Sequence, residues 1–335
     1  MLVIVAPGQG SQAPGFLAPW LELPGLRERL ARLSDVAQTD LVAHGTTSDA
    51  ATIKDTAVAQ PLIVGSGLVC LSALLEGSDG SDVVGATAGH SVGEVTAAAV
   101  AGVLAEVDAM AFVRERGRGM AEASAAVATG MSAVVGGDPE EVPTTLESMG
   151  LTAANLNGAG QVVAAGTLDQ LARLTEAPPA RARVIPLQVA GAFHTPHMEP
   201  AVERLTRFAR DLATRNPSVT LVSNADGGVV GSGEEVLRRL VRQVSNPVRW
   251  DLTMDTFASM GVSALIEIPP AGTLVGLAKR GLRGVETLAL KTPDDLDQAR
   301  RMIRDHGGPQ DAAATDGPAH PAQPPLRQHP QEDTP

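Results

Sequence analysis

The chain has 335 residues, of which 44% are hydrophobic and 19% charged, and its formal net charge is −12. That length exceeds what one compact core usually needs and predicts a large domain with a smaller companion, while the composition is too apolar for a mainly disordered chain. The negative charge argues against a phosphate-backbone ligand, so no nucleic acid is expected as a partner.

Residues 1–7 carry no basic stretch ahead of their apolar run and stop at Pro7-Gly8, which predicts a buried strand over 2–6 and not a signal peptide. Helical patterns follow over 60–75, 92–101 and 106–126, with a strand at 83–88. Cys70, the single cysteine, lies in the first of these helical runs. It excludes an intrachain disulfide and fits a reducing cytoplasm, and a lone thiol there reads as a small core residue. No run approaches the roughly 18 to 20 apolar residues of a membrane span, so no membrane partner is expected.

The texture changes over 131–189. Strand-like runs at 131–136 and 161–165 each precede a helix-like one, at 140–149 and 167–175, and a last strand is expected at 184–189. This β-α-β-α-β rhythm predicts a small inserted α+β domain. Helices are then expected over 200–213, 233–244 and 252–260, with strands at 220–223 and 264–268. The architecture expected is α/β: a large α/β-hydrolase-like domain with a parallel sheet (1–127 and 191–306) and a small ferredoxin-like α+β domain (128–190). Residues 307–335, rich in Pro, Gln and Asp, predict a disordered tail whose His320 and His329 are too far apart to read as a metal site.

Gly89-His90-Ser91-Val92-Gly93 falls between a strand and a helix. A nucleophile elbow needs that context: small residues flank a sharp turn that exposes a serine hydroxyl at a helix amino terminus, where unpaired amides stabilise negative charge. The alternative is a glycine-rich turn with Ser91 as a cap. A serine also needs a base. Of the seven histidines, His90 adjoins the serine and should point away from its hydroxyl, His44 sits in a polar loop, and His306 belongs to the last amphipathic segment. His194 and His197 remain, after the strand expected at 184–189, where open α/β sheets build sites. Spacing alone does not decide between a structural and a catalytic histidine there.

Pro7-Gly8-Gln9-Gly10-Ser11-Gln12, Gly89-His90-Ser91-Val92-Gly93-Glu94, Arg114-Glu115-Arg116-Gly117, Asn157-Gly158-Ala159-Gly160-Gln161, Ala192-Phe193-His194 and Asn246-Pro247-Val248-Arg249-Trp250 occur in this order. In content and order they resemble the malonyl-CoA:acyl-carrier-protein transacylases. The resemblance runs from about residue 2 to residue 305, and is greatest to actinobacterial members of fatty-acid synthesis, with polyketide acyltransferase domains as close relatives. It implies malonyl-CoA and acyl carrier protein as partners, no cofactor and no metal. It also implies Ser91 as the acylated nucleophile, His194 as its base, and a backbone carbonyl near Gln243 in place of a triad carboxylate. The amides of Gln9 and Val92 would form the oxyanion hole, Arg116 would bind the malonyl carboxylate, and Asn157 would line the pocket or support His194. A guanidinium suits a carboxylate because it offers two parallel hydrogen bonds.

In polyketide acyltransferases a phenylalanine before the catalytic histidine accompanies malonyl and a serine methylmalonyl, so Phe193 is expected to exclude an α-methyl branch; its alternative is plain packing. Glu267-Ile268-Pro269-Pro270-Ala271-Gly272 departs from the family's usual glycine-proline-glycine, and a stiffer loop is expected there. An acidic carrier needs a local basic surface, for which Lys279, Arg280 and Arg283, or Arg181 and Arg183, are candidates. Two rivals share some of these features. A serine hydrolase would share elbow and histidine, but Gln9 comes too early in the chain for the oxyanion loop of that topology, and the chain's His-Gly-Gly, at 306–308, comes far after the elbow and not before it. A binding subunit with a degenerate site would not need the serine, histidine and arginine that are all present.

Overall fold

Leu2–Ala6 forms β1, buried at every residue, and it occupies the centre of one of two sheets. The structure is a computed structural model that describes residues 1–76 and 80–307, without the side chains of residues 80 and 81. The tail over 308–335, with His320 and His329, lies outside the described residues.

The other strands are β2 (Ala86–Gly89), β3 (Thr129–Gly136), β4 (Thr152–Gly158), β5 (Gln161–Thr167), β6 (Ala182–Pro186), β7 (Thr220–Val222), β8 (Val248–Arg249), β9 (Ala264–Glu267) and β10 (Glu286–Ala289). The large sheet runs β10-β9-β1-β2-β7 and all its pairings are parallel. From β1 the chain proceeds outward through β2 to β7, then returns to β9 on the other side and continues to β10. The switch point therefore lies between β1 and β9, where loops leaving the carboxyl ends diverge and open a crevice.

The small sheet runs β6-β3-β5-β4-β8. Its first four strands are antiparallel neighbours and, with helices Glu141–Ser148 and Leu168–Glu176, make the β-α-β-β-α-β ferredoxin-like arrangement. The sequence rhythm was one strand short. Thr152–Gly158 carries register shifts at Ala153/Asn155 and Leu156/Gly158, so its buried positions do not alternate and the usual strand signal is missing. β8 comes from the later part of the chain and pairs parallel with β4, joining this sheet to the rest of the protein.

Three expectations shift. The strand expected at 83–88 starts only at Ala86, because Gly80–Val83 winds into a short helix. The one expected at 184–189 ends at Pro186 and pairs with β3 in the small sheet, so His194 does not sit at a strand end of the parallel sheet. The expectation that no apolar run is long enough to cross a membrane also fails: helix Thr56–Leu74 has 19 residues and passes by length and composition. Asp55 caps it by accepting from the Ala57 amide, and its first turns lie N-terminal to the predicted start. In the fold it is buried on nearly every side against helices Leu26–Ala37, Gly93–Val100 and Glu106–Ala126, as a core helix. Leu26–Ala37 was missed although its buried Leu26, Leu30, Leu33 and Ala37 recur at helical spacing. Helices Leu41–Thr46, Thr273–Gly281 and Leu296–His306 and strand β10 also complete the fold without having been placed from sequence.

Candidate active site

β2 delivers the chain into a tight reversal, and helix Gly93–Val100 leaves from it. The glycines are dictated by backbone contact. A Cβ on Gly89 would lie 1.9 Å from the Gly93 carbonyl carbon, and one on Gly93 would lie 2.2 Å from the Ala6 oxygen at the end of β1. The turn forces Ser91 to φ 52°, a left-handed conformation a serine adopts only under constraint. The Glu94 amide closes the first turn on the Ser91 carbonyl at 3.0 Å.

The Ser91 hydroxyl lies 2.8 Å from His194 Nε2. His194 is itself at φ 62° in the loop after β6, and two contacts to one short turn, Gln243–Ser245, hold it. Its backbone amide donates to the Val244 carbonyl at 3.0 Å, and its Nδ1–H donates to the Gln243 carbonyl at 2.8 Å. That second bond fixes the tautomer, leaving the Nε2 lone pair for the serine proton. A main-chain carbonyl thus does the orienting that a carboxylate does in a triad. Burial, and then the charge of Arg116, holds the His194 pKa down to about 3, so the ring is neutral near pH 7.

Arg116 projects from helix Glu106–Ala126 and is 1% exposed. Its Nη1 donates to Gln60 Oε1 at 2.7 Å, and its Nη2 donates to Gln243 Oε1 at 2.8 Å and to the Ser91 oxygen at 3.3 Å. Among the described residues no carboxylate touches it. Burial pulls its pKa down to about 10, which still leaves it charged. A guanidinium buried against neutral acceptors, beside a serine paired to a histidine, is arranged to receive an anion.

The amides of Gln9 and Val92 donate to no partner among the described residues, and both flank the serine: Gln9 follows β1 and Val92 precedes the helix. The Gln9 loop is braced by Gln12, which receives the Gly10 amide at 2.9 Å and donates to Ile53 O at 2.9 Å. His90 turns away from the hydroxyl. Its Nε2 lies 2.9 Å from Asn157 Oδ1 and its ring packs tilted against Trp250 with centroids 5.7 Å apart. Burial lowers its pKa. Asn157 therefore engages His90 and not His194. Gln9, His90 and Asn157 line a cleft of about 420 Å³ between the carboxyl ends of the parallel sheet and the small sheet, together with Lys54, Asn155 and Leu274. Phe193 is 6% exposed and its ring belongs to the main hydrophobic cluster.

Sequence reasoning missed Gln60, Glu94 and Asn224, and placed Gln243 at the site, as a backbone acceptor and pocket residue, without the contacts its side-chain amide makes to Glu94, Asn224 and Arg116. For Glu94 a signal existed: an acid in the first turn of a helix otherwise built of small and apolar residues.

The acyl transferase domain family profile matches residues 3–324. The malonyl CoA-acyl carrier protein transacylase of Mycobacterium tuberculosis (strain ATCC 25618 / H37Rv) is 51% identical over 304 residues, 90% of this chain and 100% of that protein. The chain belongs to the malonyl CoA-acyl carrier protein transacylase family. A Bacillus subtilis (strain 168) member is 31% identical over 312 residues, covering 91% of this chain and 98% of its own. Among solved structures, the M. tuberculosis MCAT crystal structure superposes with a TM-score of 0.85 at 50% identity, covering 90% of this chain and 99% of that one. A malonyl-transacylase solved in complex with a type II PKS acyl-carrier protein gives 0.83 at 30% identity, with 90% and 99% covered. Family membership over nearly the whole described chain excludes the reading of an unrelated hydrolase fold.

Proposed function

We propose that this protein transfers a malonyl group from malonyl-CoA to the phosphopantetheine thiol of an acyl carrier protein through a malonyl ester on Ser91, for fatty-acid or polyketide chain extension. The observation that carries the reading is Arg116: a buried cation that no carboxylate touches among the described residues, 3.3 Å from a serine hydroxyl that is paired at 2.8 Å with a neutral histidine.

In the first half-reaction His194 Nε2 takes the Ser91 proton as Oγ attacks the thioester carbonyl. The oxyanion gathers at the Gln9 and Val92 amides, which are fixed before charge develops. The carbonyl reforms as the C–S bond breaks, and His194 returns its proton to the departing CoA sulfur. In the second half-reaction His194 deprotonates the carrier thiol, the sulfur attacks the ester, and Ser91 leaves with the proton. Arg116 grips the distal carboxylate throughout. This chemistry calls for no cofactor and no metal. The reaction belongs in the cytoplasm, which suits a chain whose one cysteine is buried with its thiol pushed well up by desolvation.

Incubation with malonyl-CoA alone, followed by peptide mass spectrometry, should find a persistent malonyl adduct on the Ser91 peptide. An adduct on Cys70 or another serine would overturn the mechanism, and steady release of free CoA without an adduct would make the protein a hydrolase.

A further inference from the structure

Behind the serine lies a carboxylate that the transfer chemistry does not use. Glu94, 5% exposed, sits in the first turn of helix Gly93–Val100. Its Oε1 accepts from the Asn224 amide at 2.6 Å, and its Oε2 accepts from Gln243 Nε2. That same side-chain amide also donates to Ser91 O and Asn224 Oδ1, each at 3.2 Å, while its oxygen receives Arg116. Asn224 is closed in turn by its Nδ2 donating to the Gly89 carbonyl.

The chain of donors and acceptors has one sense. Gln243 can present its oxygen to Arg116 only while its NH₂ end has acceptors on the opposite side. Turned over, it would aim two N–H bonds at a guanidinium that can only donate. We propose that the ionised Glu94 carboxylate is the positioning residue that locks the Gln243 amide in this sense, so that Arg116 is held for the malonyl carboxylate. The selectivity of the site for a carboxylated acyl group thus depends on a residue that never meets the substrate. The inference rests on the malonyl-transfer reading and deepens it.

The lock should respond to pH. Burial pushes Glu94 up to about 7, against the lowering effect of its hydrogen bonds from Asn224, Ser223 and Gln243 and of the Arg116 charge. Protonated, the carboxyl no longer holds Gln243 Nε2 as an anionic acceptor, and the amide is kept in this sense only by the neutral Ser91 O and Asn224 Oδ1, each at 3.2 Å. The charged groups facing Glu94 are few. Arg116 comes from helix Glu106–Ala126, and Arg239 comes from helix Gly233–Arg242, where it borders the same small cavity and is paired with Asp226 and Glu235. The neighbouring helix Thr56–Leu74 and strand β1 bring none. His194, at about 3, and Arg116, at about 10, do not titrate in the same window.

The test is the ratio of malonyl to acetyl loading on Ser91, measured by intact mass under single-turnover conditions across pH. In the wild type the ratio should fall as pH drops from about 8 to about 6, mainly through loss of malonyl loading. Glu94→Gln should give a ratio about tenfold lower and flat with pH, since its side chain cannot accept from both Asn224 and Gln243. A wild-type ratio constant over this range overturns the inference and needs no variant to fold. Equal loss of both substrates in a folded Glu94→Gln protein also overturns it, by making Glu94 a general support. Absence of any Ser91 adduct would remove the transfer reading itself, and this inference with it.

Discussion

The floor and the walls of the cleft are built differently. On the floor the polar side chains around Ser91 are committed: His194 to Gln243, Arg116 to Gln60 and Gln243, Gln243 to Glu94 and Asn224. Along the walls Gln9 Oε1 and Asn155 Oδ1 are buried without a protein donor among the described residues, and Lys54 Nζ reaches across to Gln188. A wired floor keeps reacting groups in register before substrate arrives, which is where electrostatic catalysis gains most. A wall with spare acceptors suits a long polar arm that must enter, react and leave twice per turnover.

The sharpest way to break this contrast is to remove the floor's proton carrier. His194→Ala should reduce Ser91 loading by roughly 10²- to 10⁴-fold for both malonyl and acetyl donors, because the base serves either acyl group. Stopped-flow or quenched single-turnover loading checks it. A loss confined to malonyl would mean that His194 reads the carboxylate. The depressed pKa of His194 carries its own sign: the ring stays neutral from pH 7 down toward about 3, so acetyl loading should not fall between about pH 8 and about pH 5.

Arg116→Ala comes next in size. Losing a charge-assisted partner should lower malonyl loading by about 10- to 150-fold relative to acetyl loading. The structure adds a consequence, since the substitution also strips donors from Gln60 Oε1 and Gln243 Oε1, both buried. A lower melting temperature is therefore expected beside the selectivity change. Equal loss for both donors would reduce Arg116 to a structural strut.

What the sequence disclosed follows a physical division. Ser91 was legible because an elbow is local: two glycines, a strand before and a helix after are enough to impose it. His194 was harder, and the argument from a strand end was wrong in detail, because β6 belongs to the small sheet and a loop carries the histidine. The supporting network was invisible because it joins residues far apart in the chain: Glu94 and Gln243 are separated by 149 positions, Glu94 and Asn224 by 130, Arg116 and Gln60 by 56. Only the order of the parallel strands brings them together. The loop after β9, expected to be stiff from its prolines, is held by another device as well. Buried Glu267 accepts from the amides of Gly272, Leu274 and Val275 at 2.8, 3.0 and 2.9 Å, pinning the loop to the start of helix Thr273–Gly281 whatever its proline content. The ring of Phe193 packs in the main core, so a serine there would cost stability through a cavity, and a change in its malonyl preference has to be read beside the melting temperature.

The smallest expected effect concerns the rim. Helix Thr273–Gly281 begins with Thr273 and Leu274 on the cleft and ends with exposed Lys279 and Arg280, with exposed Arg283 just beyond. At about 1.5 Å per helical residue, Lys279 lies only about 7.5 Å along the axis from Leu274. A carrier whose arm fills the cleft would rest within reach of these charges. Arg181 and Arg183, exposed at β6 on the edge of the small sheet, form the rival surface. Exposed charges act mainly through long-range attraction, strengthened at low salt, and each contributes about 1 kcal/mol or less. Joint reversal of Lys279 and Arg280 to glutamate should raise the KM for an acidic carrier by about two- to tenfold at low salt. The effect should shrink as salt is added, and self-acylation from malonyl-CoA should be unchanged, because neither residue touches the floor. A larger response to reversal at Arg181 and Arg183 would move the docking surface to the small sheet's edge. No response at either pair would mean that the carrier is held by its arm in the cleft, and that the rim charges only solvate the surface.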